Sequence, residues 1–311
     1  MDSIDLNDKL MDYDARSIKS KRMAYFFVII AAILWGTLGI FGKSLNKFGF
    51  SPTQIVFIRA VGASITLILF ALIKDTKLVR IKLRDSVYFV GTGILSFAFF
   101  NWCYFIAINR TSLSVAAILL YTAPTIVMMS SAILFKEKMT KKKIIALVLT
   151  FGGCIFVTAF VDGTGRNIAF DGIMAGLGSG FGYALYSIFG RYALEKYDSI
   201  TVTLYTFIFA SIGLITITDI KEIIRLFSNV TALYYAVALG LVATVLPFIL
   251  YTKGLSYLET SQASIIATLE PIVATIIGVT LYSEPLTLFK ILGILLVVLA
   301  VFIIREKGKS T

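Results

Sequence analysis

Histidine is absent from the 311 residues, and only two cysteines and five prolines occur. Without histidine the chain lacks the commonest general base and metal ligand, which excludes zinc-protease, haem-ligating and serine-histidine chemistry. Cys103 and Cys154 each stand alone in an apolar run, so neither a disulfide framework nor a thiolate metal site has support. No metal or cofactor is expected. Charge is scarce as well: 15% of residues are charged, against roughly 25% in soluble domains, and 18 acidic residues face 29 basic ones. The resulting +11 calls for no nucleic-acid partner, because the basic residues gather between apolar stretches, where they report orientation across a membrane. A GxxxxGK[ST] phosphate loop is also missing, so ATP is not the expected energy source.

What is present is apolar: 58% of the residues are hydrophobic. They come in blocks of about 18 to 23, the length a helix needs to cross about 30 Å of hydrocarbon, and not in the alternating ten-residue strips of an outer-membrane barrel. The expected fold is therefore an all-α integral membrane protein with ten transmembrane helices, at 24–45, 54–73, 86–108, 113–135, 143–160, 170–194, 200–218, 231–252, 260–282 and 286–304. Residues 1–23 read as a polar, disordered cytoplasmic tail, with five Asp ahead of Arg16, Lys19, Lys21 and Arg22; residues 305–311 read as a second cytoplasmic tail. The first apolar run is too long for a signal peptide and lacks a cleavage site. With both termini inside, twenty-one Lys and Arg fall on the inner side and seven on the outer, with Arg59 inside a span. A multi-pass protein of the cell membrane, termini cytoplasmic, is the predicted topology.

The chain also repeats itself. A shift of 148 residues aligns Ile40-Phe41-Gly42-Lys43 with Ile188-Phe189-Gly190-Arg191. A shift of 147 aligns Tyr104 with Tyr251, Ser114 with Ser261, Pro124 with Pro271, Glu137 with Glu284 and Thr140 with Thr287. Residues 24–160 and 170–304 are read as two five-helix copies. An odd number of crossings inserts the second copy from the opposite side, so the repeats are predicted to be inverted. The turn Lys136–Lys143 holds five Lys, whereas its counterpart Ser283–Leu288 holds none, as opposite insertion requires.

These features resemble the drug/metabolite transporter superfamily, and within it the EamA-type ten-helix carriers. The resemblance covers nearly the whole chain. It is carried by Trp35-Gly36, Arg59, the run Tyr104 to Glu137 with Pro124 and Glu137-Lys138-Met139-Thr140, and the run Tyr251 to Glu284 with Leu269-Glu270-Pro271 and Glu284-Pro285-Leu286-Thr287. It implies a carrier working by alternating access on amino acids or related small metabolites, without naming the substrate or the direction.

Glu270 is the first residue to explain, since a carboxylate near mid-span costs about 2.5–3.5 kcal/mol on insertion scales. It is expected to line a cavity, meeting a cationic group or taking up a proton; a buried structural hydrogen bond is the plainer reading. Pro124 and Pro271 remove an amide from two matched helices and predict breaks at similar depth, with Pro247 a third bend. Arg59 snorkels outward, has a gating or structural partner, for which Glu284 is a candidate, or contacts the substrate directly. Glu137 and Glu284 stand three residues before Thr140 and Thr287, a spacing suited to the free amides of the next helix. Trp35, Asn101, Trp102, Tyr104, Tyr121, Tyr183, Tyr186 and Tyr251 are the polar and aromatic candidates for a substrate pocket, although aromatic stripes also serve packing and interfacial belts. Glycines at 172, 176, 178, 180 and 182 predict close helix packing in the sixth span.

The expected function is secondary transport of amino acids or related metabolites, with proton-coupled export through Glu270 as one form. Organic cations and nucleotide derivatives are alternative cargoes. A lipid-modifying intramembrane enzyme needs convergent acid, base or metal ligands, and one central carboxylate without histidine does not supply them; a non-transporting scaffold predicts no water-accessible cavity. The partners are a small molecule and the bilayer, with monomer and homodimer both open.

Overall fold

The computed structural model describes residues 3–158 and 169–305; Arg166 and the predicted tail beyond 305 lie outside them. Among the described residues the chain is helical with no strand. Six helices are long and apolar enough to cross a membrane. They are α1 (Ser20–Lys47), α2 (Pro52–Lys74), α3 (Leu83–Arg110), α4 (Leu113–Leu134), α8 (Val230–Leu255) and α9 (Thr260–Tyr282). Between α4 and α8 lie α5 (Lys141–Thr158), α6 (Phe170–Leu194) and α7 (Ser199–Ile215), and α10 (Leu288–Ile304) closes the chain. A short helix, Ile220–Leu226, follows α7 at a bend of 107°, and the pair would count as a seventh span. These others stop short of the same standard for visible reasons. α5 opens on three lysines, α6 is diluted by glycine, and α7 and α10 are 17 residues long.

The segment before α1, expected to be disordered, is helical from Ser3. Extending an existing helix avoids the cost of nucleating one. Elsewhere local chemistry sets the helix starts. Ser51 and Gln54 form a capping box ahead of α2, with Pro52 in the first turn, and Asp198 accepts the amide of Ile200 at the start of α7.

The two halves interdigitate. α1 packs on α8 and α9, while α6 packs on α3 and α4; α2 meets α7, α4 meets α9, and α5 meets α10. Each contact is matched by one in which the halves exchange roles, which is the pattern of a pseudo-twofold pair. Lipid offers no hydrophobic drive between helices, so these contacts rest on close fit, and small residues provide it. Gly176 and Gly180 of α6 lie against α4, and Gly172 lies against Arg110 and Thr111 at the end of α3. A Cβ at Gly180 would sit 2.5 Å from Thr122 Oγ1 and 2.8 Å from the carbonyl of Leu119. Gly180→Val is therefore expected to cost about 1–3 kcal/mol through overpacking. At about 2–4 °C per kcal/mol for a chain of this size, thermal unfolding in detergent should fall by roughly 2–12 °C. An unchanged midpoint would mean that α6 does not rest on α4 as described.

Candidate functional site

Backbone irregularities in both halves shape the middle of the bundle. α4 stops at Leu120, turns through Tyr121 and Thr122, and restarts at Ala123 with Pro124 in its first turn. α9 stops at Ala267, turns through Thr268 and Leu269, and restarts at Glu270 with Pro271 second. The prolines sit at the start of each new half-helix, where the missing N–H breaks no bond. Thr122 Oγ1 donates to the Leu119 carbonyl at 2.6 Å and Thr268 Oγ1 to that of Ile265 at 2.5 Å. α3 and α8 carry a second matched feature, π-helical stretches at Val90–Ala98 and Leu241–Val245, whose last residues correspond at the 147-residue shift. Such stretches redirect the side chains that follow and are common at functional sites.

Where these breaks converge there is a chamber. Trp35 and Leu38 line it from the two sides of a break in α1 at Thr37, and Arg59 enters from α2. Ser96, Phe97 and Phe100 come from the end of the π-helical stretch of α3, Tyr183, Tyr186 and Ser187 from α6, Phe248 and Tyr251 from α8, and Glu270 from α9. The atom-free space is about 530 Å³, of which about 60 Å³ is open to the centre of a water molecule. At 10–15 Å³ per water, that is room for roughly four waters or a few heavy atoms of solute.

The charged groups of this chamber are held differently. Arg59 Nε donates to Thr244 Oγ1 at 3.1 Å, and that hydroxyl donates to the Leu239 carbonyl five residues back, within the π-helical turn. The guanidinium lies 5.5 Å from the ring centre of Phe97. Its terminal nitrogens have no hydrogen bond or ion pair among the described residues. Glu270 is the first residue of its half-helix, so its carboxylate stands where unsatisfied amides and the helix dipole favour negative charge. It too makes no hydrogen bond or ion pair among the described residues. A smaller void, with about 10 Å³ open to a water centre, lies between the breaks of α4 and α9 and is lined by Tyr121, Pro124, Tyr183, Thr268 and Glu270. Glu270 and Tyr183 thus divide the void from the chamber. The indole N–H of Trp35 is buried without an acceptor among the described residues. Opposite it, Ser187 and Tyr251 share a hydrogen bond of 2.7 Å and Tyr186 and Thr252 one of 2.6 Å, tying α6 to α8.

Of the residues singled out from sequence, the structure brings Trp35, Arg59, Tyr183, Tyr186, Tyr251 and Glu270 to the chamber, and Tyr121 and Pro124 to the void beside it. Pro271 follows Glu270 in the same turn. Trp102 is a correction: it is 50% exposed, its ring lies 6.2 Å from that of Phe99, and it lines neither space. Neighbouring helical positions point about 100° apart, so Asn101 and Trp102 cannot both face inward. Asn101 is buried, but its Nδ2 donates to Phe97 O of its own helix at 2.7 Å, so the amide is satisfied locally and lines neither space. Tyr104 is half-buried in α3 and likewise lines neither. Glu284 is not the partner of Arg59; it reaches Lys290 at 3.2 Å and Lys43 at 3.9 Å. Glu137 does meet free amides at a helix start, but those of Thr260 and Ser261 in the other half, at 2.6 and 3.2 Å, while Thr140 caps α5. Thr244 and the Phe97–Phe248 wall were missed. Apolar periodicity is blind to a π-helical turn; the repeat shift pairing Phe97 with Thr244 was the available signal.

Comparison with known proteins agrees with this architecture. The model of the EamA-like transporter family matches the chain twice, over residues 22–159 and 171–305. An uncharacterized transporter of Archaeoglobus fulgidus is 28% identical, over 86% of this chain and 90% of its own. An uncharacterized inner membrane transporter of Salmonella typhimurium, YicL, is 23% identical over 92% and 96%. A protein of known crystal structure superposes with a TM-score of 0.74 at 16% identity, covering 90% of this chain and 95% of that one, and so shares the fold. With two family matches spanning most of its length and a many-helix apolar bundle built around a charged chamber, the chain belongs to the EamA-like transporter family of the drug/metabolite transporter superfamily and is a membrane transporter.

Proposed function

We propose that the protein is a ten-crossing secondary carrier of the cell membrane, with inverted repeats and cytoplasmic termini, that moves zwitterionic metabolites of the amino-acid class by alternating access. The observation that carries this reading is the pairing, in one aromatic chamber, of an acid and a base whose carboxylate and outer nitrogens make no hydrogen bond or ion pair among the described residues. Intramembrane charges are costly, and those facing a cavity mark solute pathways. A zwitterion answers both at once: its ammonium meets Glu270, and its carboxylate meets the Arg59 guanidinium with the Trp35 N–H as a further donor. When the site is empty, a proton on Glu270 would serve in place of the ammonium, which supports proton-coupled export. An organic cation leaves Arg59 unanswered and repelled.

The helices that are short or diluted fit the ten-crossing reading physically. Seventeen residues span about 25 Å, within the range for a crossing, and the glycine-rich α6 is flanked by α3 and α4. The charge distribution along the loops supports termini on the cytoplasmic side.

Counterflow of a labelled amino-acid pool in proteoliposomes tests the assignment. Competition is expected from amino acids with both charges. Removing either the amine or the carboxylate should weaken competition by about 10- to 100-fold, the worth of a charged hydrogen bond of roughly 1.5–3 kcal/mol. Equal competition by a simple tetraalkylammonium ion would overturn the zwitterion reading in favour of an organic cation.

A further inference from the structure

The turns α4–α5 and α9–α10 hold the same device twice, yet only one copy is engaged. In the first copy Thr140 caps the amide of Lys143 at 3.3 Å, and Lys143 Nζ lies 3.5 Å from Glu137. In the second, 147 residues on, Thr287 caps Lys290 at 3.3 Å, and Lys290 Nζ lies 3.2 Å from Glu284. Both lysines are buried. The two carboxylates stand at opposite ends of α9, one beside its first residues and one just past its last, so the devices guard opposite ends of the bundle.

Their acceptor sites differ. Glu137 accepts hydrogen bonds from the amides of Thr260 and Ser261 and from the Ser261 hydroxyl, joining the end of α4 to the start of α9. The corresponding site for Glu284 is the start of α4, at Leu113 and Ser114. There the Ser112 hydroxyl takes only the amide of Val115. The amides of Leu113, a residue 59% exposed, and Ser114 have no partner among the described residues, and neither has the hydroxyl of Ser114, a residue 7% exposed. Glu284 turns instead to Lys43, whose ammonium also lies 3.8 Å from the ring centre of Tyr282. A second pair of matched residues shows the same imbalance. Arg191 Nη1 donates to the carbonyls of Leu255 and Leu258 at 2.7 and 3.2 Å, pinning α6 to the end of α8. Its counterpart is Lys43, which makes no such bond to Ile108 or Thr111.

We propose that Glu137 and Glu284 are exchanging latches of the transport cycle. The structure holds the Glu137 end shut and the Glu284 end unlatched. In the exchanged state Glu284 leaves Lys43 and seats on the amides of Leu113 and Ser114 and the Ser114 hydroxyl, while Glu137 releases Thr260 and Ser261. The buried lysine beside each carboxylate stays with it throughout, so the negative charge is never left alone when its latch is open. The first amides of a helix need acceptors from outside it, and the pseudo-twofold arrangement supplies a single matching carboxylate for each start. The two states then differ by an exchange of equivalent bonds, which keeps them close in free energy, as a carrier that must visit both requires. The inference rests on the alternating-access reading and assigns to it two positioning residues outside the chamber.

Cysteine cross-linking in proteoliposomes, in a background of Cys103→Ala and Cys154→Ala, tests the exchange. The pair Glu137→Cys with Ser261→Cys should form a disulfide readily on oxidation. The pair Glu284→Cys with Ser114→Cys should also form one, more slowly, and each should arrest transport until reductant is added. A Glu284–Ser114 pair that stays reduced while the other closes, in a preparation that still transports, would overturn the latches and leave the carrier reading intact. A native chain that transports no solute in the same vesicles would overturn both. Because these variants replace the carboxylates themselves, a second measurement keeps one latch native: labelling of Ser264→Cys and Ala117→Cys, equivalent positions behind the two latches, by an impermeant maleimide. Glu137→Gln should raise labelling at 264 and lower it at 117; an unchanged ratio tells against the exchange.

Discussion

Glu270→Gln is expected to abolish accumulation of substrate against a gradient while leaving the protein folded. The amide is nearly isosteric and sits at the same helix start, so packing around the break in α9 has no reason to change. What is lost is the negative charge. Among the described residues Glu270 is the only acidic one lining the chamber, which it shares with Arg59. A ligand ammonium would lose its counter-charge, and truncating one member of a desolvated charge pair costs about 2–5 kcal/mol, or roughly 30- to several-thousand-fold in apparent affinity. A glutamine also cannot alternate between protonated and charged forms, so any flux that survives should be independent of pH and downhill. The measurement is labelled amino-acid uptake into proteoliposomes with and without an imposed pH gradient. Wild-type flux and wild-type pH dependence in this variant would remove Glu270 from the mechanism, and with it the zwitterion assignment.

Glu137→Ala is expected to be the most destabilising single change outside the chamber. Lys143 is 3% exposed and sits between Glu137 at 3.5 Å and Glu259 at 2.6 Å. Removing Glu137 leaves the buried ammonium with one partner and strips the acceptor from two amides and a hydroxyl at the start of α9. Breaking a buried pair in this way costs about 3–5 kcal/mol; because Glu259 remains, the lower end applies, and the unfolding midpoint should fall by roughly 6–12 °C. The deficit should depend on pH in a defined direction. Burial pushes the Glu137 carboxyl up, but the Ser261 hydroxyl, the amides of Thr260 and Ser261, and Lys143 outweigh it and hold the group below its ordinary value of 4.5. A group depressed by folding stabilises fully above that ordinary value and loses its contribution as pH falls through the depressed one. The gap between wild type and variant should therefore be constant from pH 7 down to about 5 and shrink below it. Thermal unfolding in detergent across that range is the check, and a gap that widens in acid would contradict the hydrogen-bonded, charged state of Glu137.

Much of this architecture was legible from the chain. Apolar blocks of bilayer length, the spacing of Pro124 and Pro271, and the doubled Glu-x-x-Thr gave the helices, their breaks and the repeat, because each depends on local chemistry: transfer of side chains to lipid, loss of one amide, a short reach to a helix start. Glu270 and Arg59 were conspicuous because charge is expensive at depth. The errors have a common origin. Asn101 and Trp102 are adjacent candidates, with Asn101 the stronger because a buried amide must find partners, and the structure meets that need within α3 while leaving Trp102 half exposed. Glu137 was read against the helix that follows it, whereas its partners come from 123 residues further along. For Arg59, Glu284 was one candidate partner among several readings, and the hydrogen bond the structure shows is to the Thr244 hydroxyl.

The sequence by itself determined that this protein lives in a membrane, that its halves are copies, and which few charges must be explained, since composition and periodicity record the free energy of placing each side chain in lipid. Which of those charges meet was decided by the tertiary structure alone. Interdigitated halves bring α1, α2 and α3 against α6, α8 and α9, and the distances between residues more than a hundred positions apart depend on that packing and on no local preference of the chain.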